Sequence, residues 1–569
     1  MIHSEMHATR TEVVAERGVV LGGHRLEAEA GVRMLQAGGN AVDAVVSAAF
    51  TGFVVQPASC GLGGYGHLAL FLAERGEFVT IDHYVRAPRR ARADMFEPDP
   101  SQPETYYSWP RVLGAKNEWG YLAAAVPGAV SGLCAAHERF GRLRLAQVVE
   151  PAIEAADAGV PVTWDLVLAV AGRFGAIRTM PRAAAWLLRN GNPPAMPAVQ
   201  GEGDRLDTSD LARTLRRIAA EGAAGFYSGP VAAAIAREFA DHGGILTADD
   251  LASYRPKILR EQPARYRAYA HVTANDQVGT ETLNILERFP LARYGPDSVE
   301  FRHLVAEALG HAFVDNMVHY GDPDAVRSPV NGLASRAFAA ERAAAIRLDR
   351  AAPRPISAGN PWPHETSKDA PEVLPASPSV GGVCGTSQMA AADGEGNLAT
   401  LITSLTGAFG SLVLVPGTGV LLNNAMQNFD PRPQQANCIA PGKMPIFAAP
   451  SLVVARDGRA VFGACGSGGY RIIDGVVHSM LHALDFGMGV QAAVDAPRVH
   501  CQGRETCVDA RIPEDVRAAL ASLGHHVVAQ RETPGLPYFG RVNAIFIDPR
   551  TGLRHAGSGP AWGTAAAGY

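Results

Sequence analysis

The amino-acid sequence predicts an α+β protein, and two observations support this fold class. Residues 125–350 have mostly helical periodicity, whereas strand patterns dominate after about residue 385. Between them, residues 351–382 contain seven prolines among serine, glycine and asparagine, which predicts a loop or extended segment. Separate runs of helices and strands are typical of α+β architecture.

Apolar periodicity locates the elements of the first hundred residues. Asn40 suits the N-cap of a very apolar helix, because its side chain can accept hydrogen bonds from free backbone N–H groups. The preceding helix ends at Gly38-Gly39. In chain order we predict helices over 25–36 and 41–55, a glycine loop over 61–66, and strands over 67–73 and 78–83.

The remaining elements follow from the same patterns. Two turns, at 393–397 and at Asp457-Gly458, carry strong hairpin signals. We predict helices over 129–137, 148–158, 207–220, 231–239, 299–320 and 471–484, a strand over 266–274, hairpin strands over 388–392, 398–405, 451–455 and 460–464, and a late strand over 542–547.

Composition excludes several classes of protein. The 569 residues are 47% hydrophobic and 19% charged, so the chain can bury a sizeable core, and its length suggests about two to four domain-sized units or one large layered fold. The net charge of −5 leaves no basic excess for nucleic acid. Residues 1–20 lack a signal-type apolar run and no stretch could span a bilayer, so we expect a soluble, cytoplasmic protein without a membrane partner. The seven scattered cysteines form no CxxC pair and support neither a zinc knuckle nor a disulfide framework.

Two polar or glycine-rich patterns favour structural roles. The tract 61–66 follows a helix and precedes a strand, the reverse of a dinucleotide loop, so it indicates close backbone approach. Glu307, His311 and Asp315 are four residues apart on one predicted helix. They could bind a metal or act as acid and base, but a buried polar stripe is the favoured interpretation, because no second cluster has metal-ligand spacing.

Two further segments could carry chemistry. In Gly385-Thr386, a threonine that becomes a chain terminus can use its own α-amine, with a pKa of about 7.7–8.0, as the base. Glycine before it would tolerate the strained peptide that self-cleavage requires. Gly468-Gly469 lies between a predicted strand and helix, where successive N–H groups can hold an oxyanion.

Several motifs in order resemble the γ-glutamyltransferase (γ-glutamyltranspeptidase) family of N-terminal-nucleophile hydrolases. The resemblance covers nearly the whole chain. Its motifs are Gly38-Gly39-Asn40-Ala41-Val42-Asp43-Ala44, Gly61-Leu62-Gly63-Gly64, Val126-Pro127-Gly128-Ala129, Asp393-Gly394-Glu395-Gly396-Asn397, Gly419-Val420-Leu421-Leu422-Asn423-Asn424, Ala440-Pro441-Gly442-Lys443 and Gly466-Ser467-Gly468-Gly469.

The resemblance implies a four-layer αββα fold and a precursor that cuts itself between Gly385 and Thr386. Residues 1–385 and 386–569 would then form one intertwined fold of two paired fragments. Thr386 would be the nucleophile, Ser404 would replace the family's second threonine, and Gly468 and Gly469 would form the oxyanion hole. Cys384 is a rival nucleophile. No cofactor or metal is implied, and a homodimer stays open.

The expected substrate pocket departs from the family. Tyr84 stands where the family has an arginine for the glutamyl carboxylate, and Arg86 or Arg89 would replace that arginine only from a shifted position. At the family positions that hold the α-amino group, this sequence has Thr406, Ala425 and Asn428. It has Phe447-Ala448 in place of the family's paired serines, and Gln388 in place of the histidine two residues after the nucleophile. Such a pocket cannot pair a zwitterion well.

We therefore expect a self-processed threonine hydrolase or acyltransferase that cleaves an amide of a small, non-γ-glutamyl acyl group. The alternatives are a true γ-glutamyl enzyme with a rearranged pocket, a hydrolase of an activated C–C bond, a non-catalytic binding homologue, and a metal-dependent hydrolase using His311.

Overall fold

The structure of the chain is a computed structural model, which describes residues 9–105, 109–198, 201–274, 276–366, 385–446, 450–533, 538–560 and 563–569. Two seven-stranded sheets, antiparallel at every pairing, form its centre. The first sheet contains, from edge to edge, Val13–Ala15, Arg554–Ser558, Arg541–Ile547, Arg459–Ser467, Leu452–Arg456, Tyr269–Thr273 and Ala264–Tyr266. The second sheet contains Ala565–Gly568, Val19–Gly22, Gly385–Ala392, Leu398–Thr406, Tyr65–Leu72, Glu77–His83 and Lys257–Glu261.

Both faces of the second sheet are buried. Side chains alternate along its strands, so that Met389 and Leu401 join an apolar core on the helical side, whereas Ala390 and Ile402 join the core toward the first sheet. Because successive side chains enter two different buried cores, the strands are almost continuously apolar.

Helices cover the outer face of each sheet, which completes four layers in the order α, β, β, α. The layer on the second sheet contains Arg25–Gln36, Ala41–Val55, Ala129–Phe140, Leu145–Ala158, Trp164–Gly172, Phe174–Thr179, Pro181–Leu187, Ser209–Glu221, Ala224–Tyr227, Gly229–Asp241 and Ala248–Ser253. The layer on the first sheet contains Gln277–Leu286, Val299–His319, Arg336–Ala345, Arg471–Leu484, Val490–Asp495 and Glu514–Ser522. The predicted αββα fold is therefore confirmed.

Short elements decorate these layers. They are the helix Val330–Leu333, the 3₁₀ turns Leu113–Ala115, Leu291–Arg293, Trp362–His364 and Ala425–Asn428, and the strand groups Leu414–Val415 with Val420–Leu421, Val499–Cys501 with Thr506–Asp509 and Val527–Gln530, Pro98–Asp99 with Arg111–Val112, and Val160–Pro161 with Arg205–Leu206.

The predicted elements agree with the structure where capping and periodicity are strong. The helix Ala41–Val55 has its predicted bounds, and Asn40 and Asp43 form a capping box at its start. The prediction of one strand over 266–274 was wrong. Arg267 adopts a left-handed φ of 52° and its N–H donates to Glu287, so a tight turn divides the segment into two strands. In the proline-rich segment, the described part at 351–366 contains one 3₁₀ turn and no helix or strand of greater length, and 367–382 lies outside the described residues.

The composition boundary near residue 385 is not a boundary in space. The strand Gly385–Ala392 lies between Val19–Gly22 and Leu398–Thr406, which in turn pairs with Tyr65–Leu72. The C-terminal part thus supplies the centre of a sheet whose other strands come mostly from the N-terminal part. None of the described helices is long and apolar enough to cross a bilayer. The cysteines within the described ranges are free thiols.

Candidate active site

Thr386 and Ser404 form a hydrogen-bonded pair at the centre of the second sheet. They are direct cross-strand partners, and their hydroxyl oxygens lie 3.0 Å apart in a buried position. Ser404 Oγ also donates to the carbonyl oxygen of Gly385 at 2.7 Å and accepts from the N–H of Thr406 at 2.9 Å. Since the single Ser404 proton is committed to that carbonyl, Ser404 must accept from the Thr386 hydroxyl.

Gly385 is required by close packing. The strand pairing shifts in register between Gly385 and Thr386, which produces a bulge. A Cβ at Gly385 would lie 2.6 Å from the carbonyl oxygen of Ala58 and 2.7 Å from that of Gly407. Close packing therefore gives a steric reason for glycine at this position, and the strained peptide stays a prediction, because residue 384 lies outside the described residues.

A side chain of the first sheet also reaches Thr386. The buried Arg541 guanidinium donates to the carbonyl oxygen of Thr386 at 3.3 Å, and Arg541 pairs with Ser467. Directly after Ser467 the chain turns through Gly468 and Gly469, which have φ values of 137° and 65°. The predicted order of strand, glycine turn and helix is confirmed, and both glycines adopt conformations that other residues disfavour.

Three of the predicted substrate residues belong to one hydrogen-bond network. Asn428 Nδ2 donates to the phenol oxygen of Tyr84 at 2.9 Å and lies 3.5 Å from that of Tyr65. The Tyr65 phenol contacts the Thr406 hydroxyl at 2.5 Å. Tyr84 donates to the Ile446 carbonyl oxygen at 3.4 Å, and burial raises its pKa well above the ordinary value. The described members of this network are therefore polar but uncharged.

The other predicted substrate residues are placed differently. Ala425 begins the buried 3₁₀ turn Ala425–Asn428 and packs in the apolar cluster that contains Tyr84. The Arg86 guanidinium lies 3.8 Å from the Asp82 carboxylate, and the backbone N–H of Arg89 donates to Asp250. Phe447, together with Ala448 and Cys384, lies outside the described residues.

Sequence reasoning missed two residues of this region, Tyr65 and Arg541. Tyr65 interrupts a run of glycines, which was the available signal. Nothing in the local pattern marked Arg541. Gln388, by contrast, was expected near the nucleophile. Its buried side-chain amide has no hydrogen-bond partner among the described residues, although Asn543 donates to its backbone carbonyl.

The stripe Glu307, His311 and Asp315 does not converge on one site. Glu307 pairs with Arg354 at 2.5 Å and Asp315 pairs with Arg342 at 2.8 Å, while burial lowers the pKa of His311 to about 3. Each carboxylate is therefore committed to a separate arginine.

A different group could offer metal ligands, because those of His303, Glu307 and His525 all lie within 4.8 Å of one another. Its hydrogen bonds are complete without an ion. Arg354 contacts His525 Nδ1 at 3.2 Å, His525 Nε2 lies 2.7 Å from His303 Nδ1, and His303 Nε2 lies 2.7 Å from the Arg347 carbonyl oxygen. The two histidines therefore form a chain of hydrogen bonds that begins at the Arg354 guanidinium, and this guanidinium is its cationic group.

Comparison with known proteins agrees with this geometry. The gamma-glutamyltranspeptidase family matches residues 28–569. The acylase ACY 1 proenzyme of Pseudomonas sp. (strain SE83) is 35% identical over 97% of this chain and 93% of that protein. A glutathione hydrolase proenzyme of Pseudomonas sp. (strain A14) is 34% identical over 87% of this chain and 83% of that protein. The crystal structure of cephalosporin acylase from Bacillus halodurans superposes with a TM-score of 0.84 at 29% identity, over 100% of this chain and 98% of that one. The chain therefore belongs to the gamma-glutamyltranspeptidase family of N-terminal-nucleophile hydrolases.

Proposed function

We propose that the chain is a precursor that cuts itself between Gly385 and Thr386 and then acts as an N-terminal threonine amidohydrolase or acyltransferase. One observation carries the proposal. The Ser404 hydroxyl contacts both the Thr386 hydroxyl and the carbonyl oxygen of the peptide bond that would be cut. The same group can thus orient the nucleophile and polarise its target.

Self-cleavage would proceed through an ester. Thr386 Oγ1 attacks the Gly385 carbonyl carbon, whose oxygen gains negative charge and keeps the Ser404 hydrogen bond. The proton that the Thr386 hydroxyl loses passes to the Thr386 nitrogen as the C–N bond breaks, and Gly385 becomes an ester on Thr386. Water hydrolyses that ester, which leaves a carboxylate on Gly385 and a free amine and hydroxyl on Thr386.

The resulting fragments, 1–385 and 386–569, would stay together. Both contribute neighbouring strands to the second sheet, and the Tyr65–Leu72 strand of one fragment pairs with the Leu398–Thr406 strand of the other. Cutting one peptide bond removes none of these ladder hydrogen bonds.

Turnover would use the new terminus. The Thr386 α-amine accepts the hydroxyl proton while Oγ1 attacks the substrate carbonyl, and the Gly468 and Gly469 N–H groups hold the oxyanion. The leaving amine takes the proton and departs, which leaves an acyl ester on Thr386. Water resolves the ester in hydrolysis, and an amine resolves it in transfer.

The proposed substrate is an amide of a small, non-γ-glutamyl acyl group. Support comes from Tyr84, Thr406 and Asn428, because their side chains offer hydrogen bonds but no formal charge to an ammonium or a carboxylate. Relatives named acylase as well as glutathione hydrolase show that the family accommodates different substrates.

A denaturing gel of the purified protein, followed by mass spectrometry of its bands, tests the proposal. We expect two fragments, the smaller beginning at Thr386, and one intact chain for Thr386→Ala. Ser387→Ala is the matched control, because the Ser387 hydroxyl points away from the site toward Gln56 and cleavage should persist. A small fragment that begins at Cys384, or cleavage of Thr386→Ala, would reject Thr386 as the nucleophile. The processed protein is then assayed against a panel of acyl amides, where we expect hydrolysis that Thr386→Ala lacks.

A further inference from the structure

Three residues of the site lie in one row across the second sheet. Thr386 is the direct cross-strand partner of Ser404, and Ser404 is the direct partner of Tyr65 on its other side. Directly opposed residues in antiparallel strands share a face, with Cβ atoms about 4.5–5.5 Å apart. The Tyr65 side chain therefore stands on the nucleophile's face, two strands away from Thr386.

Glycines hold the Tyr65 backbone tightly in this row. A Cβ at Gly64 would lie 2.6 Å from the Ser404 carbonyl oxygen, and one at Gly66 would lie 2.0 Å from that of Ile402. Neither glycine has a left-handed φ. The glycines thus serve close approach of two strands, as the sequence indicated, and Tyr65 is the bulky side chain presented between them.

Tyr84 extends the row beyond Tyr65. His83 pairs with Gly66, so the next residue, Tyr84, continues the antiparallel register opposite Tyr65. The two rings meet edge to face, with centroids 4.6 Å apart and planes at 86°. Both side chains are fully buried.

The two phenols lie among the predicted substrate residues Thr406, Ala425 and Asn428. Tyr65 reaches the Thr406 hydroxyl at 2.5 Å, and Asn428 Nδ2 donates to Tyr84 at 2.9 Å. Both rings belong to the apolar cluster that includes Ala425. The side chains that follow Ser404 along the row from Thr386 therefore present ring carbons and neutral hydroxyls.

We propose that Tyr65 is a specificity-determining residue that closes the Thr406 side of the site and restricts it to short, uncharged acyl groups. This inference rests on the proposed function, since it names the acyl class that Thr386 would accept. Tyr84 supports Tyr65 by packing behind its ring.

The wild-type enzyme provides the first test. The probes are p-nitroanilides of acetyl, propionyl, butyryl, valeryl and hexanoyl groups. We expect kcat/KM to be highest between acetyl and butyryl and to fall by about tenfold or more at hexanoyl, because an added methylene without space to enter loses that much. A profile that rises steadily to hexanoyl would overturn the inference without any variant.

Variants at Tyr65 provide the second test. Tyr65→Ala and the milder Tyr65→Leu should raise kcat/KM for hexanoyl relative to acetyl by about tenfold, because each opens the row. Tyr65→Phe keeps the ring and should keep the wild-type length profile. Tyr266→Phe is the control for loss of a buried phenol, since Tyr266 donates to Asp485 at the edge of the first sheet.

The outcomes separate the two proposals. A self-cleaved, active enzyme whose length profile is unchanged in Tyr65→Ala and Tyr65→Leu rejects the inference and leaves the proposed function standing. If Tyr65→Ala does not fold, Tyr65→Leu and the wild-type profile decide. Absence of self-cleavage and of hydrolysis of every anilide rejects both.

Discussion

The hydroxyl of Ser404 donates to the carbonyl oxygen of Gly385 at 2.7 Å, across the 19 residues that separate them in the chain. This carbonyl belongs to the peptide bond that precedes Thr386, whose hydroxyl lies 3.0 Å from the same Ser404 oxygen. Hairpin pairing therefore places one hydroxyl against both groups that would react in the proposed cleavage.

Removal of the Ser404 hydroxyl should slow self-cleavage. Ser404→Ala deprives the developing oxyanion of one donor, which typically costs about 10²–10³ in rate. Ser404→Thr restores a hydroxyl and should cleave at a rate close to wild type. A time course of freshly translated precursor on denaturing gels measures both rates. Equal rates for Ser404→Ala and wild type would remove Ser404 from the cleavage step.

A methyl group at Gly385 should impair maturation. In Gly385→Ala the Cβ would lie 2.6 Å from the Ala58 carbonyl oxygen, so the strand must shift and carry its carbonyl away from Ser404. Overpacking of this kind costs about 1–3 kcal/mol. We expect the uncut chain to accumulate, as judged by intact mass. The control is Gly172→Ala, where an added Cβ meets no atom within 4 Å, and it should be cut normally.

Gly469 should act through its backbone. Gly469→Val forces a β-branched residue into a φ of 65° and moves the N–H groups of the glycine turn, so kcat/KM should fall by about 10²–10³. Gly458→Val imposes similar strain at a φ of 73° in an open hairpin turn. Steady-state kinetics of the processed enzymes compare the two. Comparable losses in both variants would assign the effect to stability and not to an oxyanion hole.

γ-Glutamyl anilides should be poor substrates. Their ammonium and carboxylate would face neutral side chains at Tyr84, Thr406 and Asn428, and unpaired charges on burial cost orders of magnitude in kcat/KM. The measurement compares kcat/KM for a γ-glutamyl amide with that for an acyl amide of equal length without the α-amino group. Preference for the glutamyl compound would make the protein an ordinary γ-glutamyltransferase with a rearranged pocket.

The buried His271 should make the protein sensitive to acid. Burial lowers its pKa to about 4, and neither ring nitrogen has a hydrogen-bond partner among the described residues. Between pH 6.5 and pH 4 the His271 side chain binds a proton in the unfolded chain but stays neutral in the folded chain. The free energy of unfolding therefore falls as the pH drops from 6.5 toward 4.

Substitution of His271 tests this linkage. His271→Leu should stabilise the chain relative to wild type by about 2 kcal/mol more at pH 5 than at pH 8. Urea unfolding at both pH values, in the uncut Thr386→Ala background, measures the difference. His526→Leu, at an exposed position, should show no such pH dependence. A His271→Leu effect of equal size at both pH values contradicts the assignment.

The sequence by itself determined the elements that depend on local interactions. Asn40 caps its helix through N–H groups two and three residues away, and the turn at 393–397 closes the hairpin that carries Thr386 and Ser404. Periodicity then decided which face each side chain takes. These are short-range effects, so the helices, the strands and the glycine turn could be predicted from them, whereas the αββα layers and Thr386 as the candidate nucleophile followed from the resemblance to the family.

Only the tertiary structure decided which distant groups meet at the site. Tyr65 and Thr406 are 341 residues apart, and Arg541 reaches Thr386 across 155 residues. A hydrogen bond depends on placement to within a few tenths of an ångström, whereas periodicity specifies a face and not a neighbour. The neutral group of Tyr65, Tyr84, Thr406 and Asn428 therefore arises from strand order and register together with the placement of the turn Ala425–Asn428.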